Sequence, residues 1–444
     1  MTLTLAERNV PRYTSYPTAP HFSAAVDSQA YAAWLSELPD TATLSLYLHV
    51  PYCTELCLYC GCTTKAVRRR GPVETYAEFL RKEIDLLGAA IGSRRVVHLH
   101  WGGGTPSILG ADALIAITDR LNATFDMAGV AEHAIELDPR RVTPELAAAL
   151  SRIGVTRASF GVQEFSPHVQ QAIGRVQPFR EVETAVEAVR TAGIANINID
   201  LMYGLPRQTV GDVIRSAELA ASLAPSRLAL FGYAHVPWFK PHQNLIAEDT
   251  LPGAAERMAQ MHAAAETLEE CGYVQIGLDH FAARRDDMQR AARIGRLHRN
   301  FQGYTTDEAD ALLGLGASSI GRLPQGFVQN APDIGSYARA IDAGRFATAK
   351  GLAVSADDRL RARIIERLMC DLAVDLDAQA GAPAAAIDFS AELDALDTLS
   401  ASGIVRRHGR RITVTEKGRP FVRLVAAAFD AYLPNNHKRH SVAV

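Results

Sequence analysis

The sequence predicts an α/β protein in which helices cover a mainly parallel sheet. Two observations support this class: apolar runs with strand character alternate with runs of helical period, and polar or glycine-rich residues follow nearly every strand-like run. The composition agrees, because 48% hydrophobic and 21% charged residues among 444 are typical of a globular chain with room for a large domain and a smaller one. We predict six strands, over residues 44–50, 96–101, 134–137, 157–160, 197–202 and 228–232.

Segments of helical period join these six strands, and this count predicts a partial, six-stranded (β/α) barrel. The first connection shows the pattern most clearly, because its charged residues Arg81, Lys82 and Asp85 fall between apolar positions and are expected to face water. The apolar positions at helical spacing are Val73, Tyr76, Leu80, Ile84, Leu87 and Ile91. In such sheets the catalytic groups gather at the carboxyl ends of the strands.

The chain is predicted to have three parts. Residues 1–40 contain Pro11, Pro17 and Pro20 and are expected to form an irregular arm over the active site. Residues 41–350 contain the six strands and are expected to form the catalytic barrel. Residues 351–444 are expected to form a smaller, mainly helical domain.

The C-terminal part resembles a winged-helix module. We predict helices over 357–371 and 393–402, a hairpin over 403–414 and a last helix to residue 432. A winged helix would indicate nucleic-acid binding, and four basic residues do fall on the hairpin: Arg406, Arg407, Arg410 and Arg411. Acidic residues are spread through the helices, however, so we favour a lid or scaffold.

Four cysteines occur within ten residues after the first predicted strand: Cys53, Cys57, Cys60 and Cys62. Soft sulfur ligands this close together suit zinc or an iron-sulfur cluster. Structural zinc usually takes two separate Cys-x2-4-Cys pairs, and no second pair occurs. Ferredoxin clusters commonly use a last cysteine that is distant or followed by proline, and Cys62 is neither. A Cys-x3-Cys-x2-Cys loop instead fits three irons of a [4Fe-4S] cube and leaves the fourth iron open to another ligand.

Residues 51–60, Pro-Tyr-Cys-Thr-Glu-Leu-Cys-Leu-Tyr-Cys, resemble the signature of the radical S-adenosylmethionine (SAM) superfamily, in which the open iron binds the amine and carboxylate of SAM. Further matching segments are Gly-Cys at 61–62, Arg-Tyr-Thr-Ser-Tyr-Pro-Thr at 12–18, Trp-Gly-Gly-Gly-Thr-Pro at 101–106 and Asn-Phe-Gln-Gly-Tyr-Thr-Thr at 300–306. With these segments the chain resembles the oxygen-independent coproporphyrinogen III oxidases (dehydrogenases). The resemblance extends from residue 12 to about residue 432.

The resemblance implies a [4Fe-4S] cluster on Cys53, Cys57 and Cys60 and two SAM molecules in one site, consumed as co-substrates. It also implies a set of SAM-contacting residues: Tyr47, Tyr59, Gly102, Gly103, Gly104, Thr105, Glu136, Gln163, Arg175, Asp200, Ala234 and Ile320. The residue types fit, because glycines let the backbone approach a ligand, carboxylates can hold ribose hydroxyls and an arginine can pair with a carboxylate. Each of them taken alone is more often a turn, cap or surface residue.

Cys62 is expected to stay off the cluster. A fourth thiolate only two residues from Cys60 would strain the cube and close it against SAM, so we expect Cys62 to contact SAM or the substrate instead. No other side chain is assigned a catalytic role, because in the family the radical comes from SAM.

The resemblance also implies the reaction. One electron from the reduced cluster splits SAM into methionine and a 5'-deoxyadenosyl radical, and the radical takes a hydrogen from the β-carbon of a propionate. Carbon dioxide leaves, a vinyl group remains, and an acceptor takes the surplus electron. Two such steps convert coproporphyrinogen III into protoporphyrinogen IX in haem biosynthesis. The implied electron donor is strongly reducing, such as flavodoxin or ferredoxin.

The main alternative is a haem-binding chaperone of the same superfamily, which the fold alone does not separate from the enzyme. The resemblance implies that members of the chaperone branch usually have a phenylalanine at the position of Cys62. It also implies that they lack the segments at 12–18 and 300–306. All three markers favour the enzyme. The same markers disfavour a haem-degrading radical SAM methyltransferase.

The net charge and the lack of targeting signals bear on whether the protein binds nucleic acid or membranes and on its cell compartment. A net charge of −3 and a pI near 6.5 give no basic footprint for nucleic acid. The first ten residues lack a signal-peptide pattern, and no apolar run reaches membrane-spanning length. Six cysteines without a secretion signal indicate a reducing compartment, so we expect a cytoplasmic protein. We also expect it to act as a monomer.

Several other polar and aromatic residues have ordinary explanations. The basic residues Lys65, Arg68, Arg69 and Arg70 could hold propionates or an acidic donor, but a solvated loop is the favoured interpretation. We expect the histidines of the first two strands to be buried or hydrogen-bonded rather than metal-binding: His49, His98 and His100. Trp34 and Trp238 are expected to be packing residues and not stacking platforms.

Overall fold

A computed structural model gives the structure of the chain and describes residues 2–380 and 388–433. Its strands are β1 (Thr43–Val50), β2 (Tyr52–Cys53), β3 (Lys65–Ala66), β4 (Arg95–Gly103), β5 (Glu132–Leu137), β6 (Arg157–Gln163), β7 (Asn196–Tyr203), β8 (Arg227–Gly232), β9 (Val274–Ile276), β10 (His280–Ala282), β11 (His298–Asn300), β12 (Gly303–Thr305), β13 (Ala311–Leu315), β14 (Ile320–Leu323), β15 (Gly326–Asn330), β16 (Thr348–Ala353), β17 (Ala373–Asp375), β18 (Val405–His408) and β19 (Arg411–Val414).

The α-helices are α1 (Thr2–Ala6), α2 (Ser28–Ser36), α3 (Arg70–Ile91), α4 (Ala111–Thr124), α5 (Pro144–Arg152), α6 (Pro167–Ala172), α7 (Phe179–Thr191), α8 (Val210–Ser222), α9 (Ala254–Glu270), α10 (Asp287–Arg293), α11 (Ile334–Asp342), α12 (Ala356–Asp371), α13 (Leu376–Ala380), α14 (Ser390–Ala395), α15 (Asp397–Ala401) and α16 (Val422–Ala427). Short 3-10 helices lie at Ala19–His21, Pro106–Leu109, Pro139–Arg141, Pro241–Leu245, Glu248–Thr250 and Glu416–Phe421.

The main sheet has its strands in the order β16-β15-β14-β13-β1-β4-β5-β6-β7-β8-β10-β9. Neighbouring strands from β13 to β8 are parallel, and the strands outside this central part pair antiparallel. The carboxyl ends of the parallel strands therefore meet along one edge, where the loops that follow them can build a common site.

The six predicted strands correspond to β1, β4, β5, β6, β7 and β8, and they are consecutive neighbours in the sheet. The structure adds strands at both sides that the sequence pattern did not reveal. Most of these are short antiparallel strands, and β13 follows β8 only after a long segment that lacks the strand-helix repeat. A count based on that repeat therefore finds the centre of the sheet and misses its two sides.

Helix α3 packs on the sheet as predicted. All six apolar positions of its stripe are buried, while Arg81, Lys82 and Asp85 are exposed. The prediction overlooked Glu83, which is also buried. Its carboxylate accepts hydrogen bonds from Gly316 N (2.7 Å) and Asn330 Nδ2 (2.7 Å), so it links α3 to the sheet through polar contacts that hydrophobic periodicity cannot reveal.

The N-terminal segment is not irregular throughout, because α1 and α2 lie within it. The side chain of Asp27 accepts two backbone N–H bonds at the start of α2, a helix signal that the prediction overlooked. Between these helices the chain is tied to the C-terminal part. Tyr13 Oη donates to Asp430 Oδ2 at 3.0 Å, and Tyr16 Oη accepts from Ala431 N at 3.0 Å.

The C-terminal part contains the predicted helix and hairpin with two differences. The helix predicted over 393–402 is divided into α14 and α15, and β17 adds a third strand to the hairpin of β18 and β19. The last predicted helix is a 3-10 turn that continues into α16 and ends at Ala427. On the hairpin side, Arg407 pairs with Asp397 at 3.2 Å and Arg410 with Asp377 at 2.7 Å.

The division into an arm, a barrel and a C-terminal domain stays a prediction. Parts of the third predicted domain, residues 381–387 and 434–444, lie outside the described residues, as does Met1. Within the described ranges no helix is both long and apolar enough to cross a membrane.

Candidate active site

The cysteine-rich segment, residues 53–62, follows β1 at the carboxyl edge of the sheet, and we call it the cluster loop. The short strands β2 and β3 pair in parallel at its base. The neighbouring strand β4 runs beside β1 to the same point, where Gly103 is paired with Val50. The glycine segment predicted to bind SAM therefore lies directly beside the cluster loop.

Hydrogen-bond donors surround two of the cysteine sulfurs that are expected to bind iron. Thr105 Oγ1 lies 3.4 Å and Thr64 Oγ1 3.3 Å from Cys53 Sγ, and Arg175 Nη1 lies 3.4 Å from Cys57 Sγ. Burial raises the pKa of the Cys53 thiol, and both threonines counteract this effect. Donors in these positions stabilise thiolates, which is the form that binds iron.

The other two cysteines of the loop lie next to each other. Hydrogen bonding with Cys62 lowers the pKa of Cys60 to about 6, although burial opposes this effect. Cys62 is exposed toward a cavity at this edge of the sheet, so its thiol is accessible to a ligand there. In the described part of the chain no group of three or more His, Cys, Asp or Glu side chains is arranged to hold a single metal ion.

The loop's donor set fits a [4Fe-4S] cluster. Each iron held in such a cube takes its own thiolate. Hydrogen bonds from Thr64, Thr105 and Arg175 would stabilise sulfur ligands on Cys53 and Cys57, and the pKa of Cys60 is lowered.

Arg175 is part of the buried framework of the site. A single arginine in a sequence is more often a surface residue, so the sequence alone does not predict this burial. It is 7% exposed, and its Nη2 donates to Gly161 O at 2.5 Å and lies 3.4 Å from Asp138 Oδ1. Burial alone would lower the pKa of Arg175, but the nearby Tyr59, Asp138 and Cys57 raise it. The guanidinium therefore stays charged and connects the cluster loop to the ends of β5 and β6.

A segment that sequence reasoning missed holds the cluster loop from the other side. Gln243 is fully buried and donates through Nε2 to Tyr59 O at 3.0 Å and to Ala234 O at 3.3 Å. A ring nitrogen of His242 lies 2.7 Å from Cys60 O. No local pattern marks these residues, because Gln243 and Tyr59 are 184 positions apart in the sequence.

Replacing Gln243 with Leu is expected to lower cluster loading and thermal stability. The change leaves the carbonyls of Tyr59 and Ala234 without this donor, and each buried polar group that loses its partner costs about 1–3 kcal/mol. Iron and sulfide content after anaerobic reconstitution, together with melting temperature, measures the effect. The matched control is Asn244→Ala, because the Asn244 amide donates only to Pro241 O at an exposed position. Wild-type loading in the Gln243 variant would contradict this role.

The glycines at the end of β4 leave no space for a side chain. A Cβ atom on Gly104 would lie 2.4 Å from Tyr52 O, and Gly103 has φ 111°, a conformation that favours glycine. The Gly103 N–H donates to Glu136 Oε2 at 3.1 Å. The backbone of β4 can therefore approach a ligand closely, and Glu136 is oriented toward the same edge.

Polar side chains on β1, β4 and β5 form a connected group next to these glycines. Tyr47 Oη lies 2.9 Å from His49 Nδ1, and His100 Nε2 lies 3.3 Å from Glu136 Oε1. The expectation that His49 and His100 are hydrogen-bonded is thereby confirmed. Burial raises the pKa of Tyr47 and lowers the pKa of His49, which keeps both groups neutral at pH 7.

Asp200 of β7 is the second carboxyl group of the predicted SAM site. Its Oδ1 accepts a hydrogen bond from Asn198 Nδ2 at 2.8 Å. Burial and, secondarily, the charge of Glu136 raise the pKa of Asp200 to about 7. A protonated Asp200 can donate a hydrogen bond, whereas an ionised one only accepts.

This raised pKa predicts a pH dependence of stability. Between the ordinary value of about 4 and the raised value of about 7, the folded protein holds a proton that the unfolded chain has lost, so stability falls as pH rises. Asp200→Asn should remove up to about 1.4 kcal/mol per pH unit from this slope. Melting of the cluster-free protein at a series of pH values tests it. Glu83, whose pKa is also raised to about 7, leaves a residual slope of the same sign.

The structure brings most of the remaining predicted residues to the same edge. Gln163 ends β6 with φ 74°, and its amide lies close to Gly161, next to Arg175. Tyr59 and Ala234 are joined through the Gln243 side chain. Ile320 begins β14 and lies against Gly314 of β13, at the far side of the parallel strands.

Two expectations about surface residues have different outcomes. Trp238 is 66% exposed, so the expectation that it is a packing residue is wrong, and the adjacent Phe239 is 70% exposed. Lys65 and Arg68 are exposed, in agreement with solvated side chains, although Lys65 lies in β3.

Two family models match the chain. One, described as the radical SAM superfamily, matches residues 47–220, which include the cluster loop and the glycine segment. The other, described as the HemN C-terminal domain, matches residues 354–421.

Relatives match the chain over nearly its full length. The oxygen-independent coproporphyrinogen III oxidase of Bradyrhizobium diazoefficiens is 50% identical over 448 residues, which cover 100% of this chain and 99% of the relative. The enzyme of the same name from Paracoccus denitrificans is 42% identical over 97% of this chain and 96% of its own. The solved structure of coproporphyrinogen III oxidase (HemN) from Escherichia coli, described as a radical SAM enzyme, has a TM-score of 0.89 at 35% identity and covers 95% of this chain and 98% of its own.

The sheet, the cluster loop and the first family match define a radical SAM protein with the partial (β/α) barrel of that superfamily, as predicted. The full-length similarity is more specific. The chain belongs to the family of oxygen-independent coproporphyrinogen III oxidases. A [4Fe-4S] cluster and SAM are the cofactors of this superfamily.

Proposed function

We propose that this protein catalyses the oxygen-independent oxidative decarboxylation of coproporphyrinogen III. Two propionate side chains become vinyl groups, and the product is protoporphyrinogen IX for haem biosynthesis. The observation that carries the proposal is the cluster loop at the carboxyl edge of the sheet, in a chain that is 50% identical along its whole length to an enzyme named for this activity.

The geometry of the strand ends supports an assignment of residues to the cofactors. Cys53, Cys57 and Cys60 would hold the cluster, and the strand-end residues described above would hold two SAM molecules. The reduced cluster supplies the electron that splits SAM into methionine and a 5'-deoxyadenosyl radical. The backbone N–H of Gly103 and the carboxyl groups of Glu136 and Asp200 would orient SAM, because they offer donors and acceptors that its polar groups require.

The N-terminal arm would exclude water from this reaction. Arg12 Nη2 donates to Gly232 O at 3.0 Å, at the end of β8, and Thr14 lines the cavity that contains Cys62. A radical site needs such shielding, because closure of an active site prevents side reactions of reactive intermediates. We propose residues 1–40 as the arm, residues 41–350 as the barrel and residues 351–444 as a scaffold that anchors the arm through Asp430.

A haem chaperone is not favoured. The segments 12–18 and 300–306, which the chaperone branch lacks, are present and line the cavity that Cys62 faces. Their position beside the site indicates a role in binding or enclosing the substrate of an enzyme.

Release of deoxyadenosine tests the proposal against the chaperone. With SAM and a strong reductant under anaerobic conditions, coproporphyrinogen III should stimulate release well above the slow abortive cleavage, and haem should not. Stimulation by haem, or none by the porphyrinogen in protein with an intact cluster, would contradict the proposal.

The electron donor would dock next to the cluster loop. Lys240 Nζ donates to Cys62 O at 2.8 Å, and its neighbours Trp238 and Phe239 present exposed aromatic rings. Lys65 and Arg68 add exposed positive charge after the loop. This combination suits an acidic, low-potential protein such as flavodoxin or ferredoxin, because charge complementarity speeds association and exposed aromatic residues anchor it.

The protein is proposed to act as a cytoplasmic monomer. All six cysteines lie in the described ranges and are unpaired, as expected in a reducing compartment. One chain contributes the cluster loop, the strand ends and the arm, so the proposed site needs no residue from a second copy.

A further inference from the structure

The side chain of Gln177 lies behind the cluster loop and is fully buried. Both ends of its amide are hydrogen-bonded: Oε1 accepts from Arg175 Nε at 3.2 Å, and Nε2 donates to Val162 O. Arg175 in turn directs its Nη1 atom toward Cys57 Sγ at 3.4 Å. A single side chain therefore connects Gln177 to a sulfur that is expected to bind iron.

The guanidinium of Arg175 is planar, so the directions of its N–H groups are fixed relative to one another. Its Nε atom points to Gln177 Oε1, and its Nη2 atom donates to Gly161 O at 2.5 Å. These two contacts with protein oxygens limit the direction in which the Nη1 atom can point. An acceptor for the Nε–H group therefore helps to aim Nη1 at Cys57 Sγ.

Gln177 is itself held in place by Gln170 of α6. Gln177 N donates to Gln170 Oε1 at 3.0 Å, and Gln170 Nε2 donates to Gln177 O at 2.8 Å. The same Nε2 atom also donates to Glu164 O at 2.9 Å. Both glutamines are buried, and a buried amide cannot turn without leaving polar groups unpaired. The protein itself therefore fixes the position of the Gln177 amide.

Another buried glutamine, Gln260 of α9, provides a comparison. Its Nε2 atom donates to Gln208 O at 2.7 Å, and its Oε1 atom accepts from Gly204 N at 2.9 Å. Gln260 is as fully buried as Gln177. In the part of the chain that the structure describes, its amide bonds only to these two backbone groups of the turn after β7. Gln260 therefore stabilises the fold from a buried position without bonding to Arg175.

We propose that Gln177 is a positioning residue, which raises the reduction potential of the cluster by orienting Arg175 toward Cys57. The inference rests on the proposed function, because that function places the cluster on Cys57. Hydrogen bonds to the sulfurs of an iron-sulfur cluster contribute to its potential. A positively charged donor stabilises the reduced cluster more than the oxidised one, because the reduced cluster carries one more negative charge. Gln177 thereby makes the cluster easier for the electron donor to reduce.

Gln177→Leu should shift the midpoint potential of the reconstituted cluster to a more negative value. Leucine removes the acceptor of the Arg175 Nε–H bond, so the guanidinium is no longer aimed at Cys57 Sγ. Redox titration followed by electron paramagnetic resonance of the reduced cluster, without SAM, measures the potential. Gln177→Asn keeps an amide on a side chain one methylene shorter. It is the milder change and should give a smaller shift in the same direction, and it carries the comparison if Gln177→Leu holds no cluster.

Gln260→Leu is the matched control, since it removes an equally buried amide. It should lower the melting temperature, as Gln177→Leu does, and leave the potential at the wild-type value. A double variant tests the route. In protein that already carries Arg175→Ala, the further change Gln177→Leu should shift the potential of the remaining cluster very little, because the side chain through which Gln177 acts is gone.

The outcomes separate this role from the proposed function and from folding. Wild-type potentials in the Gln177 variants, or an equal shift in Gln260→Leu, would overturn the positioning role and leave the proposed function standing. A full additional shift in the double variant would show that Gln177 does not act through Arg175, which also overturns the role. A complete cluster in Cys57→Ala, or no conversion of coproporphyrinogen III by wild-type protein with an intact cluster, would instead contradict the proposed function.

Discussion

Changing any one of Cys53, Cys57 or Cys60 to Ala is expected to abolish formation of a complete [4Fe-4S] cluster. Each sulfur is assigned to a different iron, so the loss of any one of them leaves an iron of the cube without its thiolate. Iron and sulfide content and the visible absorbance after anaerobic reconstitution should fall to near background. SAM cleavage should disappear with the cluster.

Cys62→Ser is the matched control, because it removes a thiol from the same loop without removing an assigned ligand. Its cluster content should equal that of the wild type. A Cys62 variant that holds no cluster would show that the fourth cysteine is misassigned.

The second large effect is expected at Arg175. Arg175→Ala should abolish deoxyadenosine release and, in addition, lower cluster content and stability. The change removes the hydrogen bond to Cys57 Sγ and leaves Asp138 with only Arg140 as an ionic partner, at 2.7 Å. Loss of these buried charge-assisted bonds should cost about 2–3 kcal/mol of unfolding free energy.

Gln163→Ala provides the contrast, because Gln163 lies at the same strand end but is not bonded to a cysteine. We expect it to keep its cluster spectrum and melting temperature and to lose SAM cleavage. An Arg175 variant with wild-type stability and an intact cluster would contradict the framework role. Undiminished deoxyadenosine release from both variants would remove the two residues from the site.

The sequence was sufficient for the centre of the fold and for the cluster loop. Strands such as β1 and helices such as α3 can be recognised from the local sequence. Burial of one or both faces requires apolar residues at regular intervals along the chain. The cysteine spacing is equally local, since Cys53, Cys57 and Cys60 lie within one loop. Local rules of this kind need no knowledge of the rest of the chain.

The residues that sequence reasoning missed depend on distant partners. Gln243 supports the cluster loop from 184 positions away, and Glu83 binds the backbone of Gly316 from 233 positions away. Such features become visible only when the chain is folded, because sequence periodicity carries no information about which polar groups meet.

The most direct test of the account is the fate of the tetrapyrrole. Reconstituted protein, supplied with SAM and a low-potential reductant under strict anaerobiosis, should convert coproporphyrinogen III into a divinyl product through a monovinyl intermediate. Carbon dioxide and deoxyadenosine should appear in step with the loss of propionates, and chromatography with mass detection reads each species. Unchanged coproporphyrinogen III together with tight, stoichiometric haem binding, in protein whose cluster is intact, would contradict the account and favour a chaperone.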